Sequence, residues 1–259
     1  MSSPSDSVAR EATVVLEPGC RVIADLHLDP GGDDRLDQFC AWCADLQDCP
    51  RLIVLGDLFD VWVGPAQADL AGSARVLRAL ADLNRRACRI DVVPGNRDFL
   101  MGERFERESG AVLRLDGFVG AWAGAGSHEL ALFIHGDELC TLDLPYQRMK
   151  RVLRSRPMKL IAPRLPLPVA RWAAGRLRKR SKTAVAQKRP ETTEIQESAC
   201  RELALESGAS TVICGHAHLW RDQQLPAGPR WIVLDAWGGA RDVLIGTQNR
   251  DWSAVNSRS

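Results

Sequence analysis

Five short apolar runs along the chain each stop at a glycine or a polar residue, and residues 52–60, LIVLGDLFD, set the pattern. Leu52–Leu55 are four consecutive apolar residues and read as a strand buried on both faces. The chain then breaks at Gly56 and delivers Asp57 at the carboxyl end of that strand. Residues 20–27 predict a first strand ending in Asp25 and His27. Arg89–Val93 predict a third, which turns at Pro94-Gly95 and presents Asn96, Arg97 and Asp98. LALFIHGD ends in His135, and TVICGHAH in His216 and His218. Between these runs the apolar period lengthens to that of a helix. Leu36, Phe39, Cys40, Cys43 and Leu46 mark one over Asp33–Leu46, and Val76, Leu77, Leu80 and Leu83 mark another within Ala68–Ala87. Gly102–Ser109 predicts a third helix stopped by Gly110, and Glu191–Glu206 a fourth. From Ala111 to Ile134 short strands alternate with glycine-rich turns, which predicts a second, more antiparallel sheet. RWIVLD and RDVLIG then close the fold.

A βαβαβ opening followed by short strands gives an α/β fold, a four-layer sandwich of two mixed sheets flanked by helices. Residues 20–143 and 191–248 form its core, 144–190 an inserted helical cap, and 1–15 and 249–259 disordered tails.

Charge divides the chain more sharply than its formal net value of +1 suggests. Residues 144–190 hold 15 Lys and Arg and no acid, which leaves 19 of the chain's 34 basic residues to face all 33 acidic ones. A basic block on an acidic body points to an anionic partner for the block. Its prolines, at 157, 163, 166 and 168, predict several short helices. Leu153, Met158, Leu160, Ile161, Leu165, Leu167, Val169, Trp172 and Leu177 make it too apolar for a plain solvated hairpin. It reads as an amphipathic cap that holds a lipid and rests on an anionic bilayer. With one Trp and one Tyr it is a poor platform for stacked bases, so no nucleic-acid partner is expected. No obligate protein partner is evident either. The opening MSSPSDSVAREA lacks the apolar stretch of a secretion signal, and no run approaches the ~18–20 apolar residues of a spanning helix. With eight scattered cysteines, these features place the protein in the cytoplasm with its thiols reduced. Cys40 and Cys43 sit at helical spacing with apolar neighbours and read as core rather than as a zinc site.

Four of the five histidines (His27, His135, His216 and His218) fall at strand ends, beside Asp25, Asp57 and Asn96. Each alone is commonly a loop or core residue, but a shared position type for four of five is hard to obtain from packing. In Asp25-x-His27 and His216-x-His218 two ligand types fall on one side of an extended segment. Mixed Asp, His and Asn donors suit Mn²⁺, Fe or Zn²⁺ rather than Ca²⁺. Seven such groups suit two metals that share a carboxylate, the usual apparatus for displacement at phosphorus.

DLH, GDLFD, GNRD, HGD and GHAH, in this order, resemble the signature of the calcineurin-like metallophosphoesterases. The resemblance implies that Asp57 bridges two metals. One is completed by Asp25, His27 and His218, the other by Asn96, His135 and His216. A hydroxide between the metals would be the nucleophile. GNRDFLMGERFERESGA, HGDELCT-x-D-x-x-YQ and VLDAW are similar to the UDP-2,3-diacylglucosamine pyrophosphatases of the lipid A pathway. That resemblance implies Mn²⁺-dependent hydrolysis of UDP-2,3-diacylglucosamine to UMP and 2,3-diacylglucosamine 1-phosphate, on the cytoplasmic face of the inner membrane. The alternative is another metallophosphoesterase, acting on a different nucleotide-linked lipid, a nucleotide or a nucleic-acid phosphodiester. Asn96, Arg97 and Asp98 would be catalytic, and Arg97, in the place of a more usual His, suits a diphosphate because a guanidinium bonds phosphate oxygens in pairs. Its simpler reading is a salt bridge to Asp98 or a neighbouring acid. The family pattern carries substrate contacts onto Trp62, Arg97, Asp143, Tyr146, Ser181, Lys188 and His216, whereas Val185 stands where the family has Asn.

Overall fold

The computed structural model describes residues 14–124, 129–186, 192 and 194–258. The side chains of Lys159 and of residues 180–186 lie outside that description. Among the described residues, twelve strands form two six-stranded sheets. In one, β2 (Arg21–Ile23), β3 (Arg51–Leu55), β4 (Arg89–Val93) and β5 (Val112–Leu113) run parallel, β11 (Val243–Gly246) adds antiparallel to β2, and β12 (Trp252–Val255) adds antiparallel to β11. The other has the order β1 (Val14–Leu16), β6 (Phe118–Trp122), β7 (Leu130–Phe133), β8 (Thr211–Cys214), β10 (Arg230–Val233) and β9 (Arg221–Gln224).

All five residues of β3 are buried because both faces of its sheet are covered. Leu52 and Val54 face α1 (Asp34–Asp45) and α2 (Ala71–Arg85), where Leu36, Phe39, Val76, Leu80 and Leu83 pack. Ile53 and Leu55 face the other sheet and meet Phe133, Ile213 and Ile232. The outer face of the second sheet is covered by α7 (Glu197–Ser207) through Ala199, Cys200 and Ala204 against Trp231 and Val233. The four-layer sandwich is thus as expected. The helix α1 begins where the pattern placed it, with Asp33 accepting a hydrogen bond from the Leu36 amide at 2.9 Å. The helix α3 (Glu103–Ser109) ends in a left-handed Gly110.

Several expectations give way. The second sheet is no more antiparallel than the first, since each contains three parallel and two antiparallel pairings. β5, expected in the second sheet, extends the first beside β4. The helix expected from Glu191 begins at Glu197, because Ile195 is buried in the core and the Gln196 amide donates to the Leu139 carbonyl at 2.9 Å. Residues 249–259, expected as a tail, contain β12, whose Trp252 is buried against Trp122 and Phe133. Val14 and Val15, at the edge of the other expected tail, pair as β1 with β6.

The basic block forms α4 (Leu144–Leu153), α5 (Arg156–Ile161), a single 3-10 turn (Ala162–Arg164) and α6 (Leu167–Ala186). Pro157 and Pro163 stand in first turns and Pro168 near the start of α6, where a missing amide proton costs nothing. α6 then runs for 20 residues, longer than the short helices the prolines predicted.

Candidate metal centre

β2, β3, β4, β7 and β8 end at one edge of the two sheets, and their turns bring Asp25, His27, Asp57, Asn96, His135, His216 and His218 together. The means differs from the expected extended segments. Asp25, His27, Asp57, His216 and His218 all take left-handed backbone, with φ of 53°, 52°, 50°, 67° and 54°. Such conformations in non-glycine residues cost of order 1–3 kcal/mol each and persist only where the surroundings enforce them. Here the Asp25 and His27 amides donate to the Gly56 and Asp57 carbonyls at 3.2 and 2.8 Å, and the His216 amide donates to Asp25 Oδ2 at 2.7 Å. Two glycines let the backbones approach. A Cβ at Gly56 would overlap the His135 ring, and one at Gly95 would overlap the Asp57 carboxylate and amide.

The ligating atoms of Asp25, His27 and His218 lie within 4.8 Å of one another, as do those of Asp25, Asp57 and His135. His27 Nε2 is 3.3 Å from His218 Nε2, which is itself 3.3 Å from Asp25 Oδ1. His216 Nδ1 is 3.2 Å from His135 Nε2. His135 Nδ1 lies 2.9 Å from the Leu55 carbonyl. A carbonyl only accepts, so that nitrogen carries the proton and Nε2 is left to face the cluster.

Two features bear on what the cluster could hold. Asp25 Oδ1 and His27 Nδ1 are buried without a hydrogen-bond partner. The Asn96 amide sets one terminal atom 2.8 Å from Asp57 Oδ2 and 3.0 Å from Oδ1. With nitrogen there it donates to both. With the carbonyl oxygen there, three oxygens converge in a way that only a cation stabilises. Burial pushes the Asp57 carboxyl up to about 7. Burial would lower His135, but the Asp57 and Asp25 carboxylates outweigh it and raise the imidazole to about 9. Burial lowers His27 to about 3 and His216 to about 4, helped by Arg97 in the first case and His135 in the second. Buried acids that draw a proton onto His135, beside His27 and His216 imidazoles held neutral, form a site that fits divalent cations in place of that proton, and its oxygen and nitrogen donors suit Mn²⁺, Fe or Zn²⁺.

The other expected site residues separate into three groups. Arg97 stands beside the cluster, with Nε 3.2 Å from Asp57 Oδ2 and Nη1 donating to Asp60 Oδ1 at 2.8 Å. Arg97 thus makes the salt bridge of its simpler reading, with Asp57 and Asp60 rather than with Asp98. Asp98, expected to be catalytic, is buried and spends Oδ1 on the Gly95 amide at 2.7 Å and Oδ2 on the Phe59 amide at 3.3 Å. It fastens the two turns to each other. Asp143 is buried and caps α4 by accepting from the Tyr146 amide at 3.1 Å. Trp62 is buried against Phe59 and Phe105, and its amide donates to the Arg97 carbonyl at 3.0 Å. Ser181 and Val185 lie on α6 with their side chains outside the description, and Lys188 lies outside the described residues.

A cavity of about 940 Å³ separates the cluster's edge from the cap. Asn96 and Arg97 stand at one end with Trp62 and Tyr146 in its wall, and Met149, Leu153, Met158, Leu165 and Leu177 line it from the cap. The sequence did not single out Asp60, which joins the two sides by pairing with both Arg97 and Arg178 of α6. Its position in GDLFD was the available signal, but its partner lies 118 residues away.

The model of the calcineurin-like phosphoesterase family matches residues 21–220. Three curated relatives named UDP-2,3-diacylglucosamine hydrolase are similar over most of the chain. That of Ectopseudomonas mendocina is 34% identical over 225 residues, 83% of this chain and 89% of its own. That of Shewanella piezotolerans is 34% identical over 228 residues, 88% and 93%. That of Aeromonas salmonicida is 35% identical over 230 residues, 86% and 87%.

Proposed function

The chain belongs to the calcineurin-like phosphoesterase family, and we propose that within it this protein hydrolyses the diphosphate of UDP-2,3-diacylglucosamine to UMP and 2,3-diacylglucosamine 1-phosphate. The observation that carries the substrate class is the apolar cavity of about 940 Å³ that begins at Asn96 and Arg97 and runs under the basic cap. Its volume is at the upper end of small-ligand sites, and its cap-side walls suit acyl chains rather than a sugar–phosphate backbone.

Asp57 would be shared between two cations, with Asp25, His27 and His218 on one side and Asn96, His135 and His216 on the other. When bound, such cations lower the pKa of a coordinated water and stabilise charge on the phosphoryl oxygens. The chain's own groups do the rest. Arg97, held in place by Asp57 and Asp60, presents its guanidinium at the cavity's end and bonds phosphate oxygens. Its fork of donors suits it to stabilising charge on the phosphate rather than to serving as an acid. None is needed, because the departing sugar 1-phosphate is itself a stable anion. Tyr146, Ser181, Lys188 and the cap arginines would hold the lipid's polar head.

Residues 144–190 would form the lipid cap and also the contact with an anionic bilayer, on the cytoplasmic face of the inner membrane. Of thirteen exposed large apolar residues among those described, eight lie between Leu142 and Trp172. They are interspersed with Arg148, Arg151, Arg156, Arg164, Arg171 and Arg176. No described helix is long and apolar enough to cross a membrane.

The test is UMP release from UDP-2,3-diacylglucosamine in detergent micelles, with Mn²⁺ and again with EDTA. Metal-dependent release is the expected result. An inert lipid substrate together with cleavage of a generic aryl phosphodiester would keep the metal chemistry and reject the substrate.

A further inference from the structure

A second cavity, of about 470 Å³, opens on the cluster at His218. It shares no wall residue with the lipid-sized cavity, which meets the cluster at Asn96. Arg35 and Gln38 reach it from α1, and Arg258 reaches it from beyond β12. The remaining wall is the 235–240 loop that follows β10.

Its charge is unbalanced. Arg35 Nη1 donates to the Leu26 carbonyl at 3.3 Å and has no carboxylate partner among the described residues. The Arg258 guanidinium has no partner among them at all. The one acid in the wall, Asp235, is occupied by the Trp220 and Arg241 amides at 2.8 and 3.0 Å. Two guanidiniums therefore line the cavity beside a candidate metal ligand, against a single carboxylate that two backbone amides already hold in place.

The wall is also built rather than incidental. The buried Asp242 accepts from the Gly238 amide and the Ser257 amide, each at 2.7 Å, and from the Ser257 hydroxyl at 2.6 Å. Asn256 donates to the Gly239 carbonyl at 2.6 Å. One buried carboxylate thus ties residues 256–258 onto the loop, and Arg258 passes over Gly238, where a Cβ would stand 3.6 Å from its Nη2.

A diphosphate diester cut at the cluster has two unlike halves, and the apolar cavity suits only one of them. We propose that the cavity at His218 receives the other half, a nucleoside 5′-phosphate, with Arg35 and Arg258 on its phosphate oxygens and the Gln38 amide on its base or ribose. The assignment rests on the function proposed above. A volume of about 470 Å³ falls in the range of roughly 300–1,000 Å³ usual for ligand sites, and paired guanidiniums are the usual recognition for phosphate.

The test measures UMP binding to the Mn²⁺-loaded protein by calorimetry, for the wild type, Arg258→Ala, Arg35→Ala and the double variant. Each single change is expected to raise the dissociation constant of UMP about tenfold. Binding of 2,3-diacylglucosamine 1-phosphate should stay within twofold of wild type in all three. Loss of a charge-assisted contact at an exposed arginine leaves the fold intact, and the retained lipid-phosphate affinity verifies this. UMP affinities within twofold of wild type in both single variants would overturn the subsite, as would a wild type that does not bind UMP at millimolar concentration. Hydrolysis of UDP-2,3-diacylglucosamine by the wild type is read separately. Its failure would reject the function, whereas intact hydrolysis with insensitive UMP binding would reject only the subsite.

Discussion

Tyr146 of the cap donates its hydroxyl proton across 2.6 Å to Asp137, two residues beyond the candidate ligand His135. The same carboxylate lies 3.0 Å from Lys150 Nζ and 3.7 Å from Arg154 Nη2, and Arg154 in turn donates to the Gly95 carbonyl at 3.2 Å. One helix therefore holds both the turn that carries His135 and the turn that carries Asn96. Burial alone would raise the Asp137 carboxyl, but Lys150, His135 and Arg154 outweigh it and keep it ionised. Asp137→Asn leaves those cations without their partner and is expected to cost about 3 kcal/mol in urea unfolding, with protease cleavage appearing in residues 144–186. Tyr146→Phe removes one charge-assisted hydrogen bond and should cost roughly half as much. A larger effect from Tyr146→Phe would place the tether elsewhere.

Asp57 accepts the Arg97 amide at 3.0 Å, faces His27 and His135, and is the carboxylate against which Asn96 lies. Asp57→Ala should lose bound metal and at least about a thousandfold in aryl phosphodiester turnover, since no neighbouring carboxylate can replace a bridging one. Metal analysis after dialysis checks this. A variant that retains both metals would end the bridging role.

The strand ends were legible because each apolar run stops at Asp, Asn or His, with a glycine break directly before Asp57, Asn96 and His216. The convergence of five such ends followed from their shared position. How they converge was not legible. Side chains of Asp25, His27, His216 and His218 meet through left-handed backbone, which single-residue preferences assign to glycine, and only tertiary hydrogen bonds hold it there. Asp98 was expected to be catalytic because it stands in GNRD beside Asn96 and Arg97. Its two backbone acceptor bonds, one to a turn 39 residues away, depend on tertiary placement. β12 was missed because Trp252 and Val255 are too few apolar positions to establish a period, and its stability comes from pairing with β11 and from Trp122.

Gly95 offers a prediction that separates site geometry from site chemistry. A methyl group there would overlap the Asp57 carboxylate and amide. Gly95→Ala is expected to destabilise the protein by about 1–3 kcal/mol, in the range of overpacked cores. It should also lower metal occupancy, although every candidate ligand remains. Normal occupancy with normal thermal stability would show that the close approach of the two turns is dispensable.

Arg97 makes its ligand-free contacts with Asp57 and Asp60, and those acids are already engaged by other groups. Arg97→Ala is therefore expected to keep metal occupancy and lower kcat/KM for the diphosphate substrate by roughly 10–100-fold, the worth of a lost charge-assisted bond to phosphate. Arg97→Lys keeps the charge but not the fork and should recover only part of this. Turnover within twofold of wild type for the alanine variant would leave Arg97 as a salt bridge alone.

Trp172 is 62% exposed on α6, with the Arg176 guanidinium 5.1 Å from its ring centre. Exposing a large aromatic surface to water is unfavourable, and a guanidinium stacked on it presents a positive charge at the same spot. Leu160 and Ile161 on α5 are each 60% exposed. A bilayer with anionic headgroups satisfies both kinds of group at once, because the ring and aliphatic chains enter the interface while the arginines stay with the phosphates. Trp172→Ala is expected to lower partitioning to phosphatidylglycerol-containing vesicles about tenfold while leaving urea stability within about 0.5 kcal/mol, as for a surface substitution. Raising the salt concentration should weaken wild-type partitioning further, since the charged part of the attraction is screened. Co-sedimentation with vesicles reads both effects. Equal partitioning of Trp172→Ala and wild type, or binding indifferent to salt, would show that the exposed apolar face of the cap serves something other than a membrane.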